Sequence, residues 1–148
     1  MYKKILIAID GSELSKGALE TGLKLAKPLG ASVTVATVTD RWPLIEAAVQ
    51  AQSGIENPEK YYQDLAKREA GAAFDLADQS AKELGVPCEN VHIMDRHPAE
   101  GILQAASDTN SDLIVIASHG RRGLTRMLLG SVANEVTASS KVPVLVVK

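Results

Sequence analysis

The chain has 148 residues, 45% apolar and 23% charged, with a formal charge of −2, the size and balance of one domain with a core of its own. Only 3% of the residues are aromatic, too few for the stacking platforms that hold single-stranded nucleic acid, and the mixed charge excludes a strong pull toward DNA or an anionic membrane. Cys88 is the one cysteine, which excludes an intrachain disulfide and suits a reducing compartment.

The elements follow in order. Lys3 to Ile9 reads as a strand that stops at the turn Asp10-Gly11-Ser12. From Ser12, a natural N-cap, a helix runs to Leu29 before Gly30, with Leu14, Ala18, Gly22, Leu25, Ala26 and Leu29 on one face. Ser32 to Val38 is rich in β-branched residues and reads as a second strand, completing a crossover unit. Asp40 to Pro58 reads as an irregular connection holding at most a short helix. Pro58 to Leu84 is a long helix ended by Gly85, its apolar face traced by Tyr62, Leu65, Ala66, Glu69, Ala73, Leu76, Ala77, Ser80 and Leu84. Val86 to Met94 is a weaker strand. Pro98 opens a helix reaching Thr109. Leu113 to Ala117 is continuously apolar, as a central parallel strand buried on both faces requires. Gly130 to Ser140 reads as a helix and Val142 to Val147 as the last strand. Strand and helix alternate throughout, so the expected fold is α/β, a five-stranded parallel doubly wound sheet with helices on both faces, in a single domain, 1–148.

Ligands of such sheets sit beyond the carboxyl ends of the strands. The loop after Leu113–Ala117 is the informative one there. It holds Gly120 and Gly123, then Gly130-Ser131 at a helix start, where free N–H groups and the helix dipole favour an anion. The Ser131 hydroxyl adds a donor, and Arg121, Arg122 and Arg126 add positive charge. A plain surface loop with a glycine turn and a serine cap remains the alternative. No Walker A sequence, nucleophile elbow or kinase motif set is present, and no residue set positions an attacking water.

The loop resembles the ATP-binding signature of the universal stress protein family: Gly, two residues, Gly, nine residues, then Gly and Ser or Thr. Gly120, the nine residues after it and Gly130-Ser131 fit; Ala117 stands where the first glycine belongs. The opening KKILIAIDGSELSKGAL, the segment DLIVIASHGRRGL, LLGSVANEV and the terminal VPVLVV resemble the family as well. The resemblance implies an adenine-nucleotide alpha-hydrolase-like sheet of order 3-2-1-4-5 and a stress-response sensor or regulator that binds ATP. AMP, ADP and cyclic AMP are the other candidate ligands. It implies that Ala8 and Asp10 lie near ribose and base, that Val38 meets adenine through its backbone, and that Ile116 and Ala117 line the nucleotide. His119 and Gly120 would face ribose and phosphate, and Gly130, Ser131 and Val132 would bind phosphates. Mg²⁺ would be held mainly through phosphate oxygens, with few protein ligands. If position 117 needs φ > 0, alanine is strained there; if it needs only close approach, one methyl is tolerated.

Family members commonly form a two-fold dimer by antiparallel pairing of the last strand. A homodimer through Val142–Val147 is therefore expected, and it would also cover a hydrophobic sheet edge. A further protein partner that reads the nucleotide state is implied, of unknown identity. Two other readings are a slow ATP hydrolase and a nucleotide-free interaction module. The N-terminal apolar run is too short for a signal peptide and no stretch spans a bilayer, so the expected compartment is the cytoplasm, with neither membrane nor nucleic acid as partner.

Single residues have competing readings. Asp10 resembles a receiver-domain phosphoacceptor, but the acidic cluster such a site needs is missing at this strand end. His92 and His97 read as ordinary polar residues, with His97-Pro98 able to rim the pocket. His119 could serve as a general base, although no orienting partner is evident. Cys88 reads as buried filler. Trp42 reads either as a platform for a base or as a loop anchor.

Overall fold

Apolar runs become strands here because both faces of the sheet are covered. The computed structural model describes residues 1–42, 48, 49, 51–120 and 128–148. The order is β1 (Lys4–Ala8), α1 (Glu13–Leu29), β2 (Ser32–Val38), α2 (Pro58–Leu84), β3 (Cys88–Ile93), α3 (Pro98–Asp108), β4 (Leu113–Ala117), α4 (Ser131–Ser139) and β5 (Val144–Val147). The strands form one parallel five-stranded sheet in the order β3-β2-β1-β4-β5, as expected. Where boundaries differ from the sequence reading they do so by a residue or two, the ordinary fraying of element ends. Of the connection after Asp40, Ala48, Val49, Ala51 and Gln52 are helical, while 43–47 and 50 lie outside the described residues.

Two cores sandwich the sheet. Ile5, Ile7, Val33, Val35 and Val115 face α1 and α2. Leu6, Ala36, Ile114 and Ile116 face α3 and α4. Both faces of β1 and β4 are thus used, which is why their sequences show no polar alternation. Helix α1 is capped at both ends as the sequence suggests. Ser12 accepts from Ser15 N–H at 3.2 Å, and Gly30, at φ 62, closes α1 in the left-handed conformation that glycine adopts without strain.

The helical faces correct the sequence reading. On α1, Ala18, Gly22 and Ala26 are buried as expected, but Leu19 and Leu23 join them, while Leu14 and Leu29 are exposed at the helix ends. The closest approach is at Gly22, where a Cβ would lie 2.5 Å from Ile7 Cδ1. The larger leucines pack beside that point rather than on it. On α2, Ala66, Ala70, Ala77 and Ala81 are buried, whereas Leu65 and Leu76 are exposed. This helix docks through small residues, with Leu84 packed against the core and Leu76 left outside.

Helix α2 also outreaches the sheet. Its 27 residues span about 40 Å, against about 20 Å for the 6 residues of β3. Ala77 and Ala81 join the core. The turns before them stand past the carboxyl edge of the strands and wall off the space above it.

Candidate functional site

That space is a cavity of about 700 Å³. The structure brings all ten residues singled out from the sequence to its lining: Ala8 and Asp10 after β1, Val38 ending β2, Ile116, Ala117, His119 and Gly120 from β4 onward, and Gly130, Ser131 and Val132 at the start of α4. It lies where the strand order reverses, between β1 and β4.

On the β4 side the backbone is pinned at both ends of the loop. Ser118 N–H donates to Val147 C=O at 2.8 Å, and Gly130 N–H donates to Ser118 C=O at 2.7 Å. The glycines are required by proximity, not by positive φ. A Cβ on Gly120 would meet Asp10 Oδ2 at 2.7 Å, and one on Gly130 would meet Ser118 O at 3.0 Å and His119 Cα at 3.2 Å. Gly130 caps α4 without a side-chain hydrogen bond, and the first intrahelical bond goes from Asn134 N–H back to Gly130 C=O. The N–H groups of Ser131, Val132 and Ala133 therefore have no intrahelical acceptor, and all three residues line the cavity. His119 Nδ1 lies 3.1 Å from Ser118 Oγ, the orienting contact that the sequence could not supply. Its Nε2 is buried with no partner among the described residues. Arg121, Arg122 and Arg126 lie outside the described residues, as does Gly123.

On the β1–β2 side the Asp10 carboxylate accepts from Ser12 N–H at 2.9 Å and turns the chain into α1. Ile9 N–H donates to Ala36 C=O at 2.9 Å, while Thr39 N–H donates to Ile93 C=O at 2.8 Å. Successive residues along a strand turn their N–H and C=O alternately toward one neighbour and the other. Val38, like Ala36, thus presents its N–H and C=O toward β1, whose pairing ends at Ala8.

Sequence reasoning missed the remaining walls. Tyr62, Ala66, Glu69 and Ala70 line the cavity from α2, and Ile102 does so from α3. Nothing in an alanine-rich helix marks it as a pocket wall. His97 and Pro98 do rim the cavity, and His97 Nδ1 lies 3.8 Å from Glu135 Oε2. A buried Gly101 lets α3 approach β2: a Cβ there would lie 2.7 Å from Val38 Cγ1.

Other singled-out residues settle as follows. Trp42 is not among the lining residues; it stacks on Tyr62 with ring centroids 6.3 Å apart, and Tyr62 in turn donates its hydroxyl to Asp40 C=O at 3.2 Å. It is the loop anchor. His92 lies within β3, which ends at Ile93, so His97 is off the strand. His92 Nε2 is 2.8 Å from Thr39 Oγ1, and burial, with Lys67 nearby, lowers its pKa from the ordinary value. Burial, with Asp78 and Glu89, pushes the Cys88 thiol up to about 11, so it stays protonated, as packing filler would. Among the described residues no cluster of three His, Cys, Asp or Glu could hold a metal.

A sequence model described as the universal stress protein family matches residues 1–148. The chain belongs to the universal stress protein family. Universal stress protein YxiE of Bacillus subtilis is 36% identical over 154 residues, covering 100% of both chains. The solved structure of MJ0577, a universal stress protein of Methanocaldococcus jannaschii, superposes with a TM-score of 0.78 at 30% identity, covering 100% of this chain and 96% of that one. A universal stress protein in complex with cAMP (TM-score 0.73, 23% identity, 99% and 97% covered) and one from Archaeoglobus fulgidus in complex with dAMP (0.69, 19%, 99% and 98%) share the fold.

In this universal stress protein the departure at Ala117 is harmless to the backbone. Among the described residues, the non-glycine positions with positive φ are Asn57, Asp95 and Asn110. Ala117 is the last residue of β4, buried with the core that faces α1. The strain alternative therefore falls, and the methyl group occupies core space.

Proposed function

We propose that this universal stress protein binds an adenine nucleotide, ATP first among them and AMP, ADP or cyclic AMP as the alternatives, and acts as a stress-response regulator through the bound state. One observation carries the reading. Three N–H groups at the start of α4, with no acceptor among the described residues, belong to residues that line the same cavity as Val38, whose own N–H and C=O turn toward the end of β1. The first set suits phosphates; the second suits the polar edge of a base. Their separation across the β1–β4 switch point suits a ligand with an anionic end and a heterocyclic end. The relatives solved with cAMP and dAMP support the same ligand class.

A divalent ion fits this donor set only through the nucleotide. Among the described residues, Asp10, Asp40 and Glu69 are the carboxylates lining the cavity, and no three-ligand cluster is formed. Mg²⁺ would bring charge compensation to the phosphates and keep most of its waters. The chain acts as one domain in the cytoplasm. It pairs with a second copy through its last strand, Val144–Val147 of the expected Val142–Val147 run, which is half-buried at the sheet edge.

Calorimetry with ATP, ADP, AMP and cyclic AMP tests the reading. Saturable binding of at least one, at one site per chain, is the predicted result; no heat with any of the four would defeat it. Sedimentation equilibrium of the same samples at micromolar concentration tests the pairing, and a monomer throughout would refute it.

A further inference from the structure

Strand β2 ends in Thr37-Val38, and the two residues do different work. The ladder between β1 and β2 pairs Ala8 with Ala36 and is extended by the bond from Ile9 N–H to Ala36 C=O. In a parallel ladder the next rung would run from Val38 N–H to Ile9 C=O, and then from Gly11 N–H to Val38 C=O. Neither bond forms. Instead the Thr37 hydroxyl donates to Ile9 C=O at 2.6 Å in a buried position. Beyond it, Asp10 Oδ1 holds Ser12 N–H, and Gly11 at φ 80 turns the chain away into α1.

We infer that Thr37 is a positioning residue for base recognition: by taking the Ile9 carbonyl it stops the β1–β2 ladder one rung early and leaves the Val38 N–H and C=O open to the cavity. The inference rests on the adenine-nucleotide reading and deepens it. One residue then offers a donor and an acceptor side by side in the plane of the sheet. A 6-aminopurine presents the matching pair, an acceptor ring nitrogen beside a donor amino group. Thr37 lines the cavity, and its hydroxyl occupies the carbonyl of the missing rung. Gly101 supports the arrangement from the other face, because its missing Cβ leaves room for the Val38 side chain.

The discriminating variant is Thr37→Val, which keeps the branched shape and removes the hydroxyl donor. The freed Ile9 carbonyl then takes the Val38 N–H, and the ladder zips by one rung. Thr37→Ser keeps the donor. The readouts are amide hydrogen exchange at Val38 in the full chain without ligand, and calorimetry with AMP and with inorganic tripolyphosphate.

In the wild type, Val38 should exchange faster than Val35 and slow when AMP is added. In Thr37→Val it should be slow without AMP, and AMP affinity should fall about tenfold, the order expected for one lost hydrogen bond. Tripolyphosphate affinity should stay the same, since the α4 end is untouched; a general loss of structure would lower both. Thr37→Ser should behave as the wild type. Protection of Val38 in the ligand-free wild type overturns the inference whether or not the valine variant folds. So does AMP binding by Thr37→Val at wild-type strength with Val38 still open, and that outcome leaves the adenine reading standing. No binding of any adenine nucleotide by the wild type, with Val38 open, overturns the adenine reading itself and the base-recognition role with it.

Discussion

The two sides of the cavity are built by opposite means. On the β4–α4 side, side chains are removed: Gly120 and Gly130 sit so close to Asp10 and to the Ser118 backbone that a methyl group would collide. On the β1–β2 side, a side chain is added: the Thr37 hydroxyl takes a carbonyl that a strand would otherwise use. Both devices leave backbone polar groups without partners among the described residues, N–H groups at the helix start and the N–H and C=O of one residue at the strand end. Such groups are costly to bury unmatched, so they favour a ligand that supplies the matches. The comparison also separates what each side can lose. Glycine positions fail by collision, whereas the threonine position fails by closing the strand.

The largest effect should come from Gly130→Val. Its Cβ would lie 3.0 Å from Ser118 O and 3.2 Å from His119 Cα, backbone atoms that cannot swing aside. Gly130 has φ −58, so the cost is steric and not conformational. Overpacking of this kind costs about 1–3 kcal/mol, which converts to about a tenfold to a hundredfold loss of affinity for ATP and tripolyphosphate alike, measurable by calorimetry. Retained tripolyphosphate binding would mean that the α4 start does not hold the phosphates.

Gly101→Ala should act on the opposite side and less strongly. The new methyl would crowd Val38 Cγ1 and Cγ2 at 2.7 and 2.8 Å, so AMP binding should weaken by about tenfold, near the low end of overpacking costs. Adding Val38→Ala should recover most of the loss. Equal weakening toward AMP and tripolyphosphate would erase the distinction between the two sides.

Smaller still is Ala117→Gly, which restores the family signature. Since Ala117 is an ordinary strand residue, affinity should change by less than about twofold, while the melting temperature falls through the entropic cost of a strand glycine, about 0.5–1 kcal/mol. A large gain in affinity would show that the methyl group obstructs the ligand. The least effect concerns pH. Folding favours neutral His92, because burial and Lys67 lower its pKa. The unfolded chain therefore binds the extra proton first, and stability falls as the pH drops below the ordinary value of 6.5. The melting temperature should fall less steeply from about pH 7 to about pH 5 in His92→Gln than in the wild type; identical slopes would remove His92 from the account.

Much of this was legible before the structure, for reasons that differ by residue. The five strands announce themselves because buried parallel strands must be apolar throughout, as in Leu113 to Ala117. The β4 side is legible because collision-driven glycines recur at fixed spacing and make a motif. The β1–β2 side is not, because Thr37 looks like any β-branched strand residue, and its role depends on a carbonyl twenty-eight positions away in sequence. The α2 wall was misread for a related reason. Periodicity weights leucines, so Leu76 was placed inward, yet it is exposed; Leu65 borders the cavity, and the buried residues of this helix are Ala66, Ala70, Ala77 and Ala81. Small residues carry little hydrophobic signal but permit close approach.

The most direct measurement is an amide chemical-shift titration of the full chain with AMP. The account predicts saturable shifts confined to the ends of β1 and β2, around Asp10 and Val38, and to the β4–α4 side, around Gly120 and Ser131. No shifts, or shifts on the opposite edge of the sheet around Ala31 and Asp112, would contradict it.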